Sequence, residues 1–228
     1  MAPTRLLPLS EVSWCRTYSA SSASSTPIPT SSKPYMNKRP LGRSGLDITV
    51  ITFGCWQAGG SGWTDTDDAQ SLAAMRAGYE AGINFFDTAE GYGSGHSETL
   101  LGQFLKEVND DTVLVASKVG ADNLAADKVR ASCEASLQRL GKDKIDLYQI
   151  HWPAGTWGSP IVPIEETMGA LVELQKEGKI GAIGVSNFTA DLIAQAAQYG
   201  RIDSLQPPYS LFFQPYVQNR TVEYCAAN

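Results

Sequence analysis

The chain has 228 residues, 43% hydrophobic and 18% charged, with a formal net charge of -6. That balance, without long blocks of one sign, argues against a nucleic-acid surface, and no apolar run is long enough to span a membrane. Cys15, Cys55, Cys133 and Cys225 lie far apart and His96 and His151 are the only imidazoles, which speaks against a Cys/His metal site and for a reducing compartment.

Residues 1–35 differ from the rest. They are rich in Ser, Thr and Pro, carry Arg5, Arg16 and Lys33, and have Glu11 as their only acid. This is the composition of a disordered, transit-peptide-like segment. "RTYSA" resembles a mitochondrial processing site and the Ser-rich start a chloroplast one, so an organellar address is expected, with a disordered tail on a cytoplasmic protein as the alternative. The folded domain is expected over 36–228.

From there strands and helices alternate. "DITVITFGCW" reads as a strand ending at Gly54, and "DAQSLAAMRAGYEAG" as a helix, with Leu72, Met75 and Tyr79 three to four residues apart. "INFFDTA" is the second strand. The helix after it, "SETLLGQFLKEV", would take Ser97 as its cap and Glu98 as its first-turn acid. "TVLVASK" is the third strand, followed by a helix whose stripe is Val129, Cys133, Leu137 and Leu140 and whose stop is Gly141. "IDLYQIHW", "IGAIGVS" and "SLQPPYS" are the remaining strands. Between them lie a helix opened by Pro163 and two acids, and "TADLIAQAAQYG"; "QNRTVEYCAAN" begins another helix.

Six strand-then-helix units without a hairpin signal between them imply parallel strands. An open doubly wound sheet and a (β/α)8 TIM barrel both fit. Gly91, Gly93 and Gly95 sit where a dinucleotide loop would, but the spacing is G-x-G-x-G, and the next strand ends in Lys118 rather than the ribose-binding acid. Six units at about 30 residues fill about 180, while a full barrel takes about 250. The expectation is therefore a barrel incomplete by about two units.

Three consecutive strands finish in Asp87, Lys118 and His151, and Tyr92 follows on a loop. Each alone has an ordinary structural reading: a turn, a solvated edge, a packed imidazole. In a barrel, however, neighbouring strand ends converge on one mouth. There, an ammonium beside a phenol should favour the phenolate and lower its pKa from near 10, the carboxylate can balance the lysine, and a neutral imidazole can orient a carbonyl oxygen. The group lacks an electron source, so a nicotinamide is required.

The stretches "GINFFDTAEGYGSGHSETLLGQFL", "ASKVG", "QIHWP", "KIGAIGVSNF" and "LQPPYSLF" resemble, in order and spacing, the aldo-keto reductases, over nearly all of 36–228. The resemblance implies an NADPH-dependent reductase of aldehydes or ketones, with Asp87, Tyr92, Lys118 and His151 as a catalytic tetrad and Tyr92 as general acid. It implies that Ser186, Asn187 and Gln206 hold the nicotinamide carboxamide, that Asp87 approaches the ribose, and that Gly54 and Trp56 lie along cofactor and substrate. It also implies that a seventh and eighth unit carry much of the cofactor grip, so this chain is expected to act as a fragment with impaired cofactor binding. Potassium-channel β subunits resemble the same family and act mainly by docking, which makes a docking protein the alternative. His96 is assigned to loop structure.

Overall fold

The computed structural model describes residues 36–63 and 66–228; the transit-like segment and the address read from it lie outside the described residues. The first surprise is local. The run 47–56 is two strands, not one. β2 (Asp47–Thr49) turns back on β1 (Lys38–Pro40) as an antiparallel pair, and only β3 (Phe53–Gly54) joins the main sheet. Val50 and Ile51, which look like strand core, are 48% and 57% exposed in the link. The turn of this hairpin is made by Gly42 and Gly45, both at positive φ, a conformation that costs glycine little.

β3 is followed by α1 (Asp68–Glu80), β4 (Phe85–Asp87), α2 (His96–Val108), β5 (Leu114–Val119), α3 (Ala126–Leu140) and β6 (Ile145–Ile150). Then come α4 (Ile164–Lys176), β7 (Ile180–Ser186), α5 (Ala190–Ala196), β8 (Ser204–Gln206), α6 (Pro215–Gln218) and α7 (Thr221–Ala227). The sheet runs β3-β4-β5-β6-β7-β8, every neighbour parallel and in chain order. A doubly wound sheet reverses its strand order at a switch point; this one does not. It is the parallel sheet of a (β/α)8 barrel, six strands of which lie among the described residues.

Strand side chains alternate between faces, and each face has its own core. Outward, Phe86, Val115, Tyr148, Ile150, Ile183 and Val185 pack under the helices. Phe86 meets Phe104 of α2 at 5.0 Å between ring centroids, and burying side chains of this size stabilises by roughly 2 kcal/mol each. Inward, Phe85, Ala116, Leu147 and Ala182 form a second cluster, capped by Leu41, Leu46 and Ile48 of the hairpin. Asn84 fastens that cap: its Oδ1 accepts from Thr49 N at 2.8 Å and its Nδ2 donates to the Asp47 carbonyl at 2.9 Å. The hairpin thus covers the end where the strands start. Asp87, Lys118, Gln149 and Gln206, on the same face, stand at the end where the strands finish.

The α2 start also departs from expectation. Gly95, at φ 92, occupies the cap in place of Ser97, which lies inside the first turn beside the expected first-turn acid Glu98, both fully buried. Glu98 accepts from Ser117 Oγ on β5 and from Arg139 Nε on α3 at 2.6 Å, an ion pair that joins three elements behind the mouth. No helix among the described residues is long and apolar enough to cross a membrane.

Candidate active site

Lys118 lies on the inner face of β5 and is only 1% exposed. A buried ammonium is tolerable only if fully hydrogen-bonded. Nζ donates to Asp87 Oδ2 at 2.7 Å, to the Thr88 carbonyl at 2.8 Å and to Tyr92 OH at 3.3 Å. Those three bonds use all its donors. Burial pulls its pKa down, but the Asp87 charge and the contacts with Tyr92 outweigh that and hold it above the usual lysine value.

Tyr92 comes from the loop between β4 and α2, and that loop is tightly held. Gly93, at φ 61, lies so close to the Gly59 carbonyl that no Cβ would fit, and a Cβ on Gly59 would meet the Tyr92 backbone at 2.7 Å. Ser97 bonds from its N–H to the Tyr92 carbonyl at 3.2 Å and from its hydroxyl to the Cys55 carbonyl at 2.7 Å, with Thr88 Oγ1 2.9 Å from Ser97 Oγ. Glu90 Oε1 accepts from Gly120 N at 2.6 Å and Asn123 Nδ2 at 3.0 Å. None of these contacts is evident from the sequence alone. Their signal, small and polar residues crowded around "DTAEGYGSGHSE", was visible but not specific.

The phenol does not behave as expected. Its pKa is raised above 10, chiefly because burial disfavours the phenolate; Lys118 opposes the rise, and the Asp87 charge adds to it. The ammonium that was expected to lower the value is present but outweighed. Tyr92 is thus a fully protonated phenol at neutral pH. Its oxygen already accepts from Lys118, so its own proton is left to point elsewhere.

His151, just after β6, completes the group. Its ring stands edge-on to Tyr92, with centroids 5.5 Å apart and planes at 80°. Burial, and secondly the charge of Lys118, lower its pKa to about 4. The imidazole is neutral under physiological conditions and can donate one hydrogen bond.

The remaining candidates lie on the same rim. Gly54 pairs in register with Asp87, and nothing stands within 4 Å of where its Cβ would be. Trp56 is 55% exposed, 6.3 Å from the Tyr92 ring and edge-on to Trp63 at 5.2 Å. Ser186 Oγ donates to the Gln206 carbonyl at 2.7 Å, and Asn187, at φ 62, donates from Nδ2 to the His151 carbonyl at 3.0 Å. Gln206 Nε2 donates to Asp87 Oδ2 at 3.2 Å. The chemistry of these residues suits a flat carboxamide-bearing ring: an open glycine at one strand end, an exposed indole two residues on, and two amide side chains whose NH2 groups bond the His151 carbonyl and Ser186 Oγ (Asn187) and Asp87 Oδ2 (Gln206). His96 is not idle loop; it opens α2 with Nε2 2.8 Å from Asp68 Oδ1, on the exposed surface.

A family model described as "Aldo/keto reductase family" matches residues 50–228. The chain belongs to that family. Aldo-keto reductase YhdN of Bacillus subtilis is 38% identical over 186 residues, covering 78% of this chain and 55% of YhdN. A protein of Escherichia coli named NADH-specific methylglyoxal reductase is 35% identical over 213 residues, covering 85% and 64%. The solved structure of the thermostable aldo-keto reductase Tm1743 superposes with a TM-score of 0.77 at 33% identity, covering 85% of this chain and 70% of that one. The chain thus spans between about half and two thirds of the length of these two curated relatives.

Proposed function

We propose that this aldo-keto reductase reduces an aldehyde or ketone to an alcohol with NADPH, through Tyr92 as proton donor. One observation carries the reading. A protonated phenol stands at a barrel rim with its oxygen held by a buried Lys118–Asp87 pair and a neutral imidazole edge-on beside it. The name of the Escherichia coli relative supports a small carbonyl substrate, and NADH as the competing cofactor.

Asp87, Ser186, Asn187 and Gln206 would hold the nicotinamide end of the cofactor, with Gly54 and Trp56 along its face. When bound, the reduced nicotinamide supplies the hydride. The neutral His151 donates to the substrate oxygen and orients the carbonyl. Tyr92 gives its proton to that oxygen as negative charge develops there, and the ammonium of Lys118 then stabilises the phenolate. Asp87 keeps Lys118 charged and in place. In alcohol oxidation Tyr92 would act as the base.

NADPH and NADH fluorescence titrations test the cofactor, and methylglyoxal reduction followed at 340 nm tests the chemistry. Tyr92→Phe should retain nucleotide binding and lose carbonyl reduction by at least about 100-fold, the usual contribution of a positioned acid. Full activity in that variant would remove Tyr92 from the mechanism. The organellar address of residues 1–35 belongs to this proposal too. A fusion of that segment to a fluorescent protein should enter plastids or mitochondria, and a purely cytosolic signal would refute it.

A further inference from the structure

The Asp87 carboxylate has a second line of support, running across the inner face of the sheet. Gln149 stands on β6, 1% exposed, paired in register with Lys118 on β5 and Gly184 on β7. Its Nε2 donates to Gln206 Oε1 at 3.0 Å, and Gln206 Nε2 donates to Asp87 Oδ2 at 3.2 Å. That same oxygen accepts from Lys118 at 2.7 Å.

The direction of this chain of amides is imposed from one end. An ionised carboxylate only accepts, so Gln206 must turn its NH2 toward Asp87 and its oxygen toward Gln149. Gln149 must then offer its own NH2, which sends its Oε1 the other way. Oε1 indeed lies buried without a hydrogen-bond partner among the described residues, as does Ser204 Oγ. Both crowd the α-carbon of Gly184: a Cβ there would sit 3.0 Å from Gln149 Oε1 and would overlap Ser204 Oγ. The absence of a side chain at 184 therefore gives the Gln149 amide its room.

We propose that Gln149 is a positioning residue that sets the rotation of the Gln206 amide and, through it, holds Asp87 Oδ2 toward Lys118. This rests on the reductase reading for its purpose but not for its test. Among the described residues the Gln149 amide hydrogen-bonds to Gln206 and to none of Asp87, Tyr92, Lys118 or His151. It acts by fixing which face Gln206 shows to the carboxylate. A carboxylate at 149 would demand the opposite polarity, because Gln206 would then have to donate to both neighbours or present its oxygen to Asp87.

The experiment reads the cofactor-free chain, labelled with 15N-glutamine, in three forms: unmodified, Gln149→Met and Gln149→Glu. Met keeps the volume and removes the donor. Side-chain hydrogen exchange of the Gln206 NH2 should then speed up by about tenfold, the loss of one buried hydrogen bond. In Gln149→Glu, the Gln206 NH2 resonances should move with pH between about 5 and 8, where a buried carboxyl titrates. They should approach their unmodified positions as pH falls and a protonated Glu again donates to Gln206. In the unmodified chain they should stay fixed over that range. Unchanged exchange in Gln149→Met, or resonances in Gln149→Glu that do not titrate, would overturn the proposal. Neither readout depends on turnover, so failure here is distinct from failure of the Tyr92→Phe test.

Discussion

Removing Lys118 should cost more stability than removing the whole Lys118–Asp87 pair. At 2.7 Å the two charges attract by a gross amount of about 6 kcal/mol at an effective dielectric of 20. Desolvation offsets most of it, at several kcal/mol for each ion. Lys118→Met leaves the Asp87 carboxylate, with its side chain 11% exposed, without a counter-charge. Such uncompensated burial costs about 3–5 kcal/mol, a large part of the roughly 5–15 kcal/mol that stabilises a domain. In Asp87→Asn the ammonium keeps the Thr88 carbonyl and the Tyr92 hydroxyl, so a smaller loss is expected. The double variant buries no charge and should recover much of the stability, giving a coupling energy of about 2–4 kcal/mol. Urea unfolding measures it: with a slope of about 2 kcal/mol/M, Lys118→Met should shift the midpoint down by about 2 M at an unchanged slope. A coupling below about 0.5 kcal/mol would mean the pair is solvated and that Lys118 is not held as described.

The His151 imidazole should titrate near pH 4; NMR of the ring protons reads this directly, since the chain has only two histidines to resolve. Because the folded value lies below the unfolded one of about 6.5, the unfolded chain binds the extra proton first. Stability from this group is complete above pH 6.5 and falls as pH drops toward 4, by up to about 3 kcal/mol; a midpoint independent of pH in that window, or a normal His151 titration, would contradict it. Gly93→Ala should destabilise by at least about 2 kcal/mol, because the position combines a positive φ with the Gly59 carbonyl against it; an unchanged urea midpoint would show that the two loops are free to separate. Ser97→Ala removes a buried hydroxyl that bridges Cys55 and Thr88, and a loss of about 1–2 kcal/mol by the same measurement is expected.

The parallel strands were legible where an apolar run ends in glycine or a polar residue: 85–87, 114–119, 145–150 and 180–186 correspond to single strands. The rim residues were legible because strand ends are a place where a carboxylate, an ammonium and an imidazole need a reason. The hairpin was not. Nothing in "DITVITFG" separates a strand that pairs backwards from one that pairs forwards, because the decision is made by Asn84 and by inner-face residues from four other segments. Local rules make Ser97 a cap because they see only the neighbouring helix, not the Cys55 carbonyl 42 residues earlier. The sign of the Tyr92 shift escaped for the same reason. A sequence shows that a lysine is near, but not how much solvent the fold removes from the phenol.

The most direct measurement follows deuterium from NADPH carrying the label on the transferable position of its nicotinamide ring. Stoichiometric protein, labelled NADPH and an aldehyde such as methylglyoxal are mixed, quenched and analysed by mass spectrometry. Label should appear on the new carbinol carbon with the unmodified chain, and fall to near background with Tyr92→Phe while NADPH fluorescence still reports binding. Equal label in both would show that the phenol at the rim is not the proton donor, whatever its neighbours.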